Sequence, residues 1–455
     1  MSNPAQTVPS SLPDYITSAK ANPAQNRGAW YRNVAPTYAG IFLWFIFWDS
    51  MSGNGLSVGG LWMTLLGVVL GALICHFLFY LVPGLLGMQT GLPLYVVGSS
   101  TFGAAGALIM PGFVMGALQF GWLGVNAFGA SDALAKGFST PALYIPLCIL
   151  WTFGAAFVGL KGIKYVAAVA TYLPLIPLAV LLLGLALFGG SAAGYTPPAA
   201  AEASGGGMKA MLLMISIIVG FFATAGAAGV DICASSRDRK DVSMGGIVGI
   251  VIAIVFTAGI SVIAVAGALK SGASVPDNLM TTALKTKLSP GLYATIMIAL
   301  TLAAFPSACF SSFIAANSFK TVMPKVSPYL SVGIGAIVSA VLAITGLASK
   351  LPSVFGLIGA SFGPVCGAMA VDYLLSNGKW NGPRAGFNPA GWIAWALGFI
   401  VGILPNPLLP ASMQVNIPCA PVAAFIVGAA VYFLCAKMGL QNATIPMPAA
   451  PAKQD

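Results

Sequence analysis

The sequence predicts an all-α integral membrane protein of twelve transmembrane helices, built as two inverted repeats of five with two helices added. Three observations carry that expectation. Of the 455 residues, 58% are hydrophobic and only 7% charged, where a soluble chain carries roughly 25% charged residues. Twelve apolar runs follow one another, at 36–52, 58–84, 104–130, 141–160, 163–190, 208–233, 243–268, 289–316, 327–348, 353–376, 389–406 and 418–438, most of them long enough to cross a bilayer. The first and the sixth are interrupted by small and polar residues. They lie five segments apart, as equivalent helices of an inverted repeat do.

In chain order, residues 1–35 are polar and form a cytoplasmic tail. They lack the charged start, short apolar core and small-residue cleavage site of a signal peptide. A ten-helix core spans 36–376, with repeats at 36–190 and 208–376; two peripheral helices occupy 389–438, and a second cytoplasmic tail 439–455. With the N-terminus inside, the cytoplasmic side takes Lys20, Arg27, Arg32, Lys161, Lys164, Arg237, Arg239, Lys240, Lys320, Lys325, Lys379, Arg384, Lys437 and Lys453. Lys136, Lys209, Lys270, Lys285, Lys287 and Lys350 fall outside. The excess of cationic residues on the first side places both termini in the cytoplasm. The expected setting is the plasma (cytoplasmic) membrane, with the lipid bilayer as a partner.

The +10 net charge sits at segment ends and reads as topology rather than nucleic-acid binding. The seven cysteines, Cys75, Cys148, Cys233, Cys309, Cys366, Cys419 and Cys435, are scattered and odd in number, which is neither a disulfide framework nor a zinc site. One histidine, His76, gives no histidine-ligated metal and no serine–histidine pair. A membrane-embedded enzyme or a receptor is therefore disfavoured, and no cofactor is expected beyond a coupling ion.

The chemistry-bearing residues start with Asp49, which closes Trp44-Phe45-Ile46-Phe47-Trp48. An acid at membrane depth is costly; it binds a proton or an amine, or it caps the outer end of the first helix. The first interruption is read at Trp48–Gly55. His76 is either a proton relay or a packing residue. In the third segment, Gln119, Trp122 and Asn126 fall at i, i+3 and i+7 and share a helix face. Either they hold a flat ligand, the indole stacking and the amides bonding its edge, or the amides join helices. The sixth segment carries Gly220-Phe221-Phe222-Ala223-Thr224-Ala225-Gly226 and Gly229, small residues that free backbone groups where a helix unwinds. Ser307, Ser311 and Ser312 follow Pro306 in the eighth segment. Their hydroxyls either help cage a hard cation or bond back to their own helix. Asp231 and Asp372 are read as caps or as partners of basic loops.

Several stretches resemble the nucleobase:cation symporter-1 family of purine and cytosine permeases and hydantoin transporters. They are Gly87-Met88-Gln89-Thr90-Gly91-Leu92-Pro93 with Ser100-Thr101-Phe102-Gly103, then Gln119-Phe120-Gly121-Trp122-Leu123-Gly124, then Gly220 to Asp231. Gly363-Pro364-Val365-Cys366-Gly367 with Val371-Asp372-Tyr373-Leu374 completes the set. The resemblance implies the leucine-transporter fold with broken helices 1 and 6, alternating access, and a planar heterocycle held between two aromatics. By position, Trp122 and Phe222 would sandwich the ring and Gln119 would bond its edge. Phe221 stands where cytosine permeases carry a serine, and Thr224 is a substitute polar contact. The cation ligands fall on Ser307 in one register and on Ser311 and Ser312 in another.

The function expected is a monomeric secondary active transporter importing a nucleobase or related nitrogen heterocycle, of cytosine, purine, hydantoin or allantoin type, in symport with Na+ or H+. The alternative is an amino-acid or organic-cation carrier on the same fold, using Asp49.

Overall fold

The computed structural model describes residues 12–161, 172–199 and 205–447. The start of the segment expected at 163–190, with Lys164, and the end of the C-terminal tail, with Lys453, lie outside the described residues, as do residues 1–11.

The first apolar run forms two helices, α1 (Val34–Phe42) and α2 (Phe45–Leu56). Next come α3 (Leu61–Thr90), α4 (Gly106–Gly137), α5 (Pro141–Lys161), α6 (Leu175–Gly194) and α7 (Gly206–Ala227). The short α8 (Gly229–Cys233) follows, then α9 (Arg239–Lys270) and the loop helix α10 (Met280–Lys285). The remainder are α11 (Pro290–Val322), α12 (Pro328–Ile344), α13 (Leu351–Leu375), α14 (Pro389–Ile403) and α15 (Ala420–Lys437). Among the described residues, nine of these helices are long and apolar enough to cross a membrane, and α12 and α14 are shorter apolar helices. The chain is therefore a multi-pass membrane protein. The helices start where local chemistry allows. Proline occupies the first or second position of α11 to α15, where its missing N–H costs nothing. Asp238 caps α9 by accepting from the Asp241 N–H at 2.8 Å.

Both expected breaks exist, but the first lies elsewhere than the sequence suggested. The chain leaves helical geometry at Leu43–Trp44, where Trp44 is extended (φ −60°, ψ 118°). Trp48–Gly55, read as the interruption, is helical. Gly53 and Gly55 there serve close approach: a Cβ on Gly55 would overlap the Thr64 side chain. The second break is at Ala228, between α7 and α8. Gly220 lies well inside α7, and a Cβ on it would meet the Phe355 carbonyl oxygen of α13 at 2.5 Å.

Small residues set the packing elsewhere too, as helices in lipid require. Gly359, Gly363 and Gly367 form a stripe on α13 that seats Pro421 and Phe425 of α15. Gly398 and Gly402 of α14 meet Pro364 and Ala360 of the same helix. Large apolar side chains such as Leu150, Phe157, Leu302 and Ile337 stay exposed, consistent with faces turned to lipid.

A buried polar staple joins α13, α15 and the turn before α4. The Arg384 guanidinium donates to Asp372 Oδ1 at 2.8 Å and to the Ser100 carbonyl. Tyr432 Oη donates to the same carboxylate at 2.8 Å, and Ser100 Oγ donates to its second oxygen at 2.6 Å. Asp372 thus takes the pairing role read for it, and Asp231 takes the capping role, accepting from the Leu94 N–H at 2.9 Å. The described part of the N-terminal stretch is pinned across the same end. Arg27 donates to the Met88 carbonyl at 2.7 Å, the Gly28 N–H to the Ser235 carbonyl at 2.8 Å and Asn33 to the Ile232 carbonyl at 3.0 Å.

Candidate functional site

Aromatic side chains from four helices gather around Phe221, joined by Trp44 of the first break. Trp122 of α4 meets the Phe221 ring edge-on, with centroids 4.9 Å apart and planes at 81°. Phe355 of α13 stands 5.5 Å from Trp122 and 5.3 Å from Phe221. Phe47 of α2 is 4.5 Å from Phe221, and Trp44, in the first break, stacks against Phe221 at 6.2 Å and 28°. The Trp122 indole nitrogen donates to Thr224 Oγ1 at 3.3 Å, tying α4 to α7.

Successive helical residues point about 100° apart, so only one of Phe221 and Phe222 can face Trp122. It is Phe221. Phe222 turns to Tyr38 and Phe42 of α1, 5.7 and 5.9 Å away, and is fully buried. The ring that faces Trp122 is therefore Phe221, where the resemblance implied Phe222.

The broken backbone finds partners inside the chain. The Leu43 carbonyl accepts from the Trp48 indole at 3.1 Å, and the Ala225 carbonyl from the Tyr38 hydroxyl at 2.9 Å. Among the described residues the Trp44 indole nitrogen has no hydrogen-bond partner, although the residue is only 8% exposed. An unmet buried donor costs about 1–3 kcal/mol, which an arriving acceptor recovers.

The polar stripe on α4 divides. Asn126 donates to Ser307 Oγ at 2.7 Å and to the Ala304 carbonyl at 3.1 Å, and accepts from the Trp151 indole at 2.9 Å. Those partners lie on α11 and α5, so Asn126 joins helices. Gln119 is buried, and among the described residues its amide nitrogen reaches only Met115 Sδ, at 3.7 Å. Sulfur is a weak acceptor, so this amide keeps most of its bonding capacity.

The three candidate serines of α11 bond to their own helix. Ser307 donates to the Ala304 carbonyl at 2.7 Å, Ser311 to the Ser307 carbonyl at 3.2 Å and Ser312 to the Ala308 carbonyl at 3.3 Å. Ser312 also backs onto Gly159 of α5. His76 lies in a π-helical turn of α3, Cys75–Tyr80, beside the Tyr80 ring at 5.6 Å, and its Nδ1 has no partner among the described residues.

A cavity of about 670 Å3 lies along three of the helices that carry the aromatic cluster, lined by none of the cluster's own side chains. Phe45, Ile46 and Asp49 of α2, Phe128, Asp132 and Lys136 of α4, and Leu351 of α13 line it. Asp49 is buried there, its oxygens accepting from the Thr281 N–H at 2.8 Å and the Thr281 hydroxyl at 2.6 Å. Tertiary contacts alone mark out Trp44 and Phe355 as cluster residues and Arg384 as the partner of Asp372.

No family model matches the sequence, and no curated protein matches it. Solved structures do match its fold. Mhp1, a nucleobase-cation-symport-1 family transporter, in a closed conformation with bromovinylhydantoin bound, aligns with a TM-score of 0.64 at 17% identity, covering 93% of this chain and 96% of that one. The inward-facing conformation of Mhp1 gives 0.68 at 17% identity, covering 97% and 100%. The substrate-bound outward-open state of a Na+-coupled sialic acid symporter gives 0.61 at 14% identity, covering 95% and 93%. The chain has the leucine-transporter fold.

Proposed function

We propose that this protein is a cation-coupled secondary transporter of the nucleobase:cation symporter-1 kind, working by alternating access on a flat nitrogen heterocycle in the plasma membrane. The observation that carries the reading is the aromatic cluster of Trp44, Trp122, Phe221 and Phe355, with Trp44 in the first break, and two underused donors, the Trp44 indole and the Gln119 amide. Aromatic faces favour a planar ring, and the free donors favour ring carbonyl or ring nitrogen acceptors. The fold shared with Mhp1 and the sialic acid symporter supports the transport reading. Uracil-, hydantoin- and allantoin-like rings all fit this chemistry.

In the alternative, an amine is held by Asp49. Both carboxylate oxygens are already engaged by Thr281, and Asp49 lines the cavity rather than the aromatic cluster. The heterocycle reading is preferred for that reason.

The test is uptake of labelled nucleobases, hydantoin and allantoin into cells that lack their own carriers. The expected result is uptake of at least one ring, competed by other rings and not by amines, and reduced by Trp122→Ala. Uptake competed by amines alone, or a transported ring indifferent to Trp122→Ala, overturns it.

A further inference from the structure

Three acidic side chains are buried among the described residues: Asp49, Asp241 and Asp372. Two have a cation. Asp241 pairs with Arg237 at 2.7 Å and Asp372 with Arg384 at 2.8 Å. Asp49 has none; the lysine on its cavity, Lys136, is paired with Asp132 at 2.8 Å. A buried carboxylate without a cation is costly in a membrane protein, and what holds this one is the first turn of α10. That turn has no side-chain cap from its own flanking residue, Leu279. Asp49 supplies the cap from another helix, taking the Thr281 N–H and the Thr281 hydroxyl.

We propose that Asp49 is a proton-binding site, and that a proton arriving through the 670 Å3 cavity loosens the cap on α10, freeing this loop helix from α2. The inference rests on the transport reading above and adds a proton as an ion the cycle uses. The step is a proton transfer from cavity water to a carboxylate oxygen, with the proton returned to water when the cap re-forms. Protonation turns one acceptor oxygen into a donor and removes the charge. A charge-assisted bond is roughly twice as strong as a neutral one, so α10 loses much of its hold. The groups around Asp49 do not replace the cation. They are the Asp132–Lys136 pair of α4, Asp277 in the loop before α10, and Tyr293 of α11, whose ring Lys285 approaches at 5.8 Å. The packed stretches Ala253–Gly267 of α9 and Leu61–Ile74 of α3 carry no ionisable side chain. Lys209 is exposed at the start of α7, and Tyr38 of α1 is bonded to Ala225.

The full chain in lipid nanodiscs tests this without any substrate. Infrared titration follows the carbonyl band of protonated carboxylic acid, and hydrogen exchange, corrected for intrinsic rate, follows the amides of Met280–Lys285. Acidification is expected to produce a band that Asp49→Asn lacks, and faster exchange in Met280–Lys285 over the same pH interval. Asp49→Asn is expected to exchange fast throughout. Thr281→Val, which keeps the acid and removes a donor that favours its charged form, moves the band to less acidic buffer by about one to two pH units. A band unchanged in Asp49→Asn, an unshifted band in Thr281→Val, or exchange that does not follow the band overturns the proposal. Neither readout depends on Trp122 or on a heterocycle, so failure here and failure of the transport reading are separate results.

Discussion

The indole nitrogen of Trp122 reaches Thr224 Oγ1 across 3.3 Å, and this bond links α4 to α7 beside the second helix break. It fixes the ring that forms one wall of the aromatic cluster. Thr224→Val keeps the shape and removes the acceptor. The expected stability loss is about 0.6 kcal/mol, the average for a hydrogen bond between helices in a membrane. Thermal unfolding in detergent measures it, and Thr224→Ser restores the wild-type midpoint.

Phe221 and Phe222 are neighbours in sequence and opposites in role. Replacing either with Leu costs about 1.5 kcal/mol or less in stability. Only Phe221→Leu removes an aromatic wall beside Trp122. Ring affinity is therefore expected to fall about two- to tenfold in Phe221→Leu and to stay near wild type in Phe222→Leu, by equilibrium binding to purified protein.

Gln119 and Asn126 separate in the same way. Asn126→Ala breaks three bonds to α5 and α11 and is expected to cost about 2 kcal/mol of stability, with ring preference retained. Gln119→Ala gives up only a contact to sulfur. Its unfolding midpoint is expected to hold while affinity falls. Unfolding and binding measured on both variants decide this.

Arg384→Met leaves Asp372 as a buried charge without a cation. Removing one partner of such a pair costs about 3–5 kcal/mol, and the yield of folded protein is expected to drop sharply. Adding Asp372→Asn removes the stranded charge and is expected to recover more than half of the loss, read by thermal unfolding.

The helical architecture was legible because apolar run length and composition are local properties: the run at 208–233 becomes α7 and α8, and that at 418–438 becomes α15. The position of the first break was not. It falls at Leu43–Trp44, which carries neither glycine nor proline, while Gly53 and Gly55 are there for packing. Spacing put Gln119, Trp122 and Asn126 on one face, but it cannot tell an amide that waits for a ligand from one already bonded to Trp151 and Ser307. Phe355 gains its role from helices far away in sequence, and the Arg384–Asp372 pair is completed by Ser100, far away in sequence, and by Tyr432 of α15.

The most direct measurement is equilibrium binding of labelled uracil, hydantoin and allantoin to the purified protein, compared with Trp122→Phe and Trp122→Ala. The account predicts saturable binding of at least one ring, largely kept by Trp122→Phe and weakened about two- to tenfold by Trp122→Ala. Binding of the same ring with unchanged affinity in Trp122→Ala would contradict it.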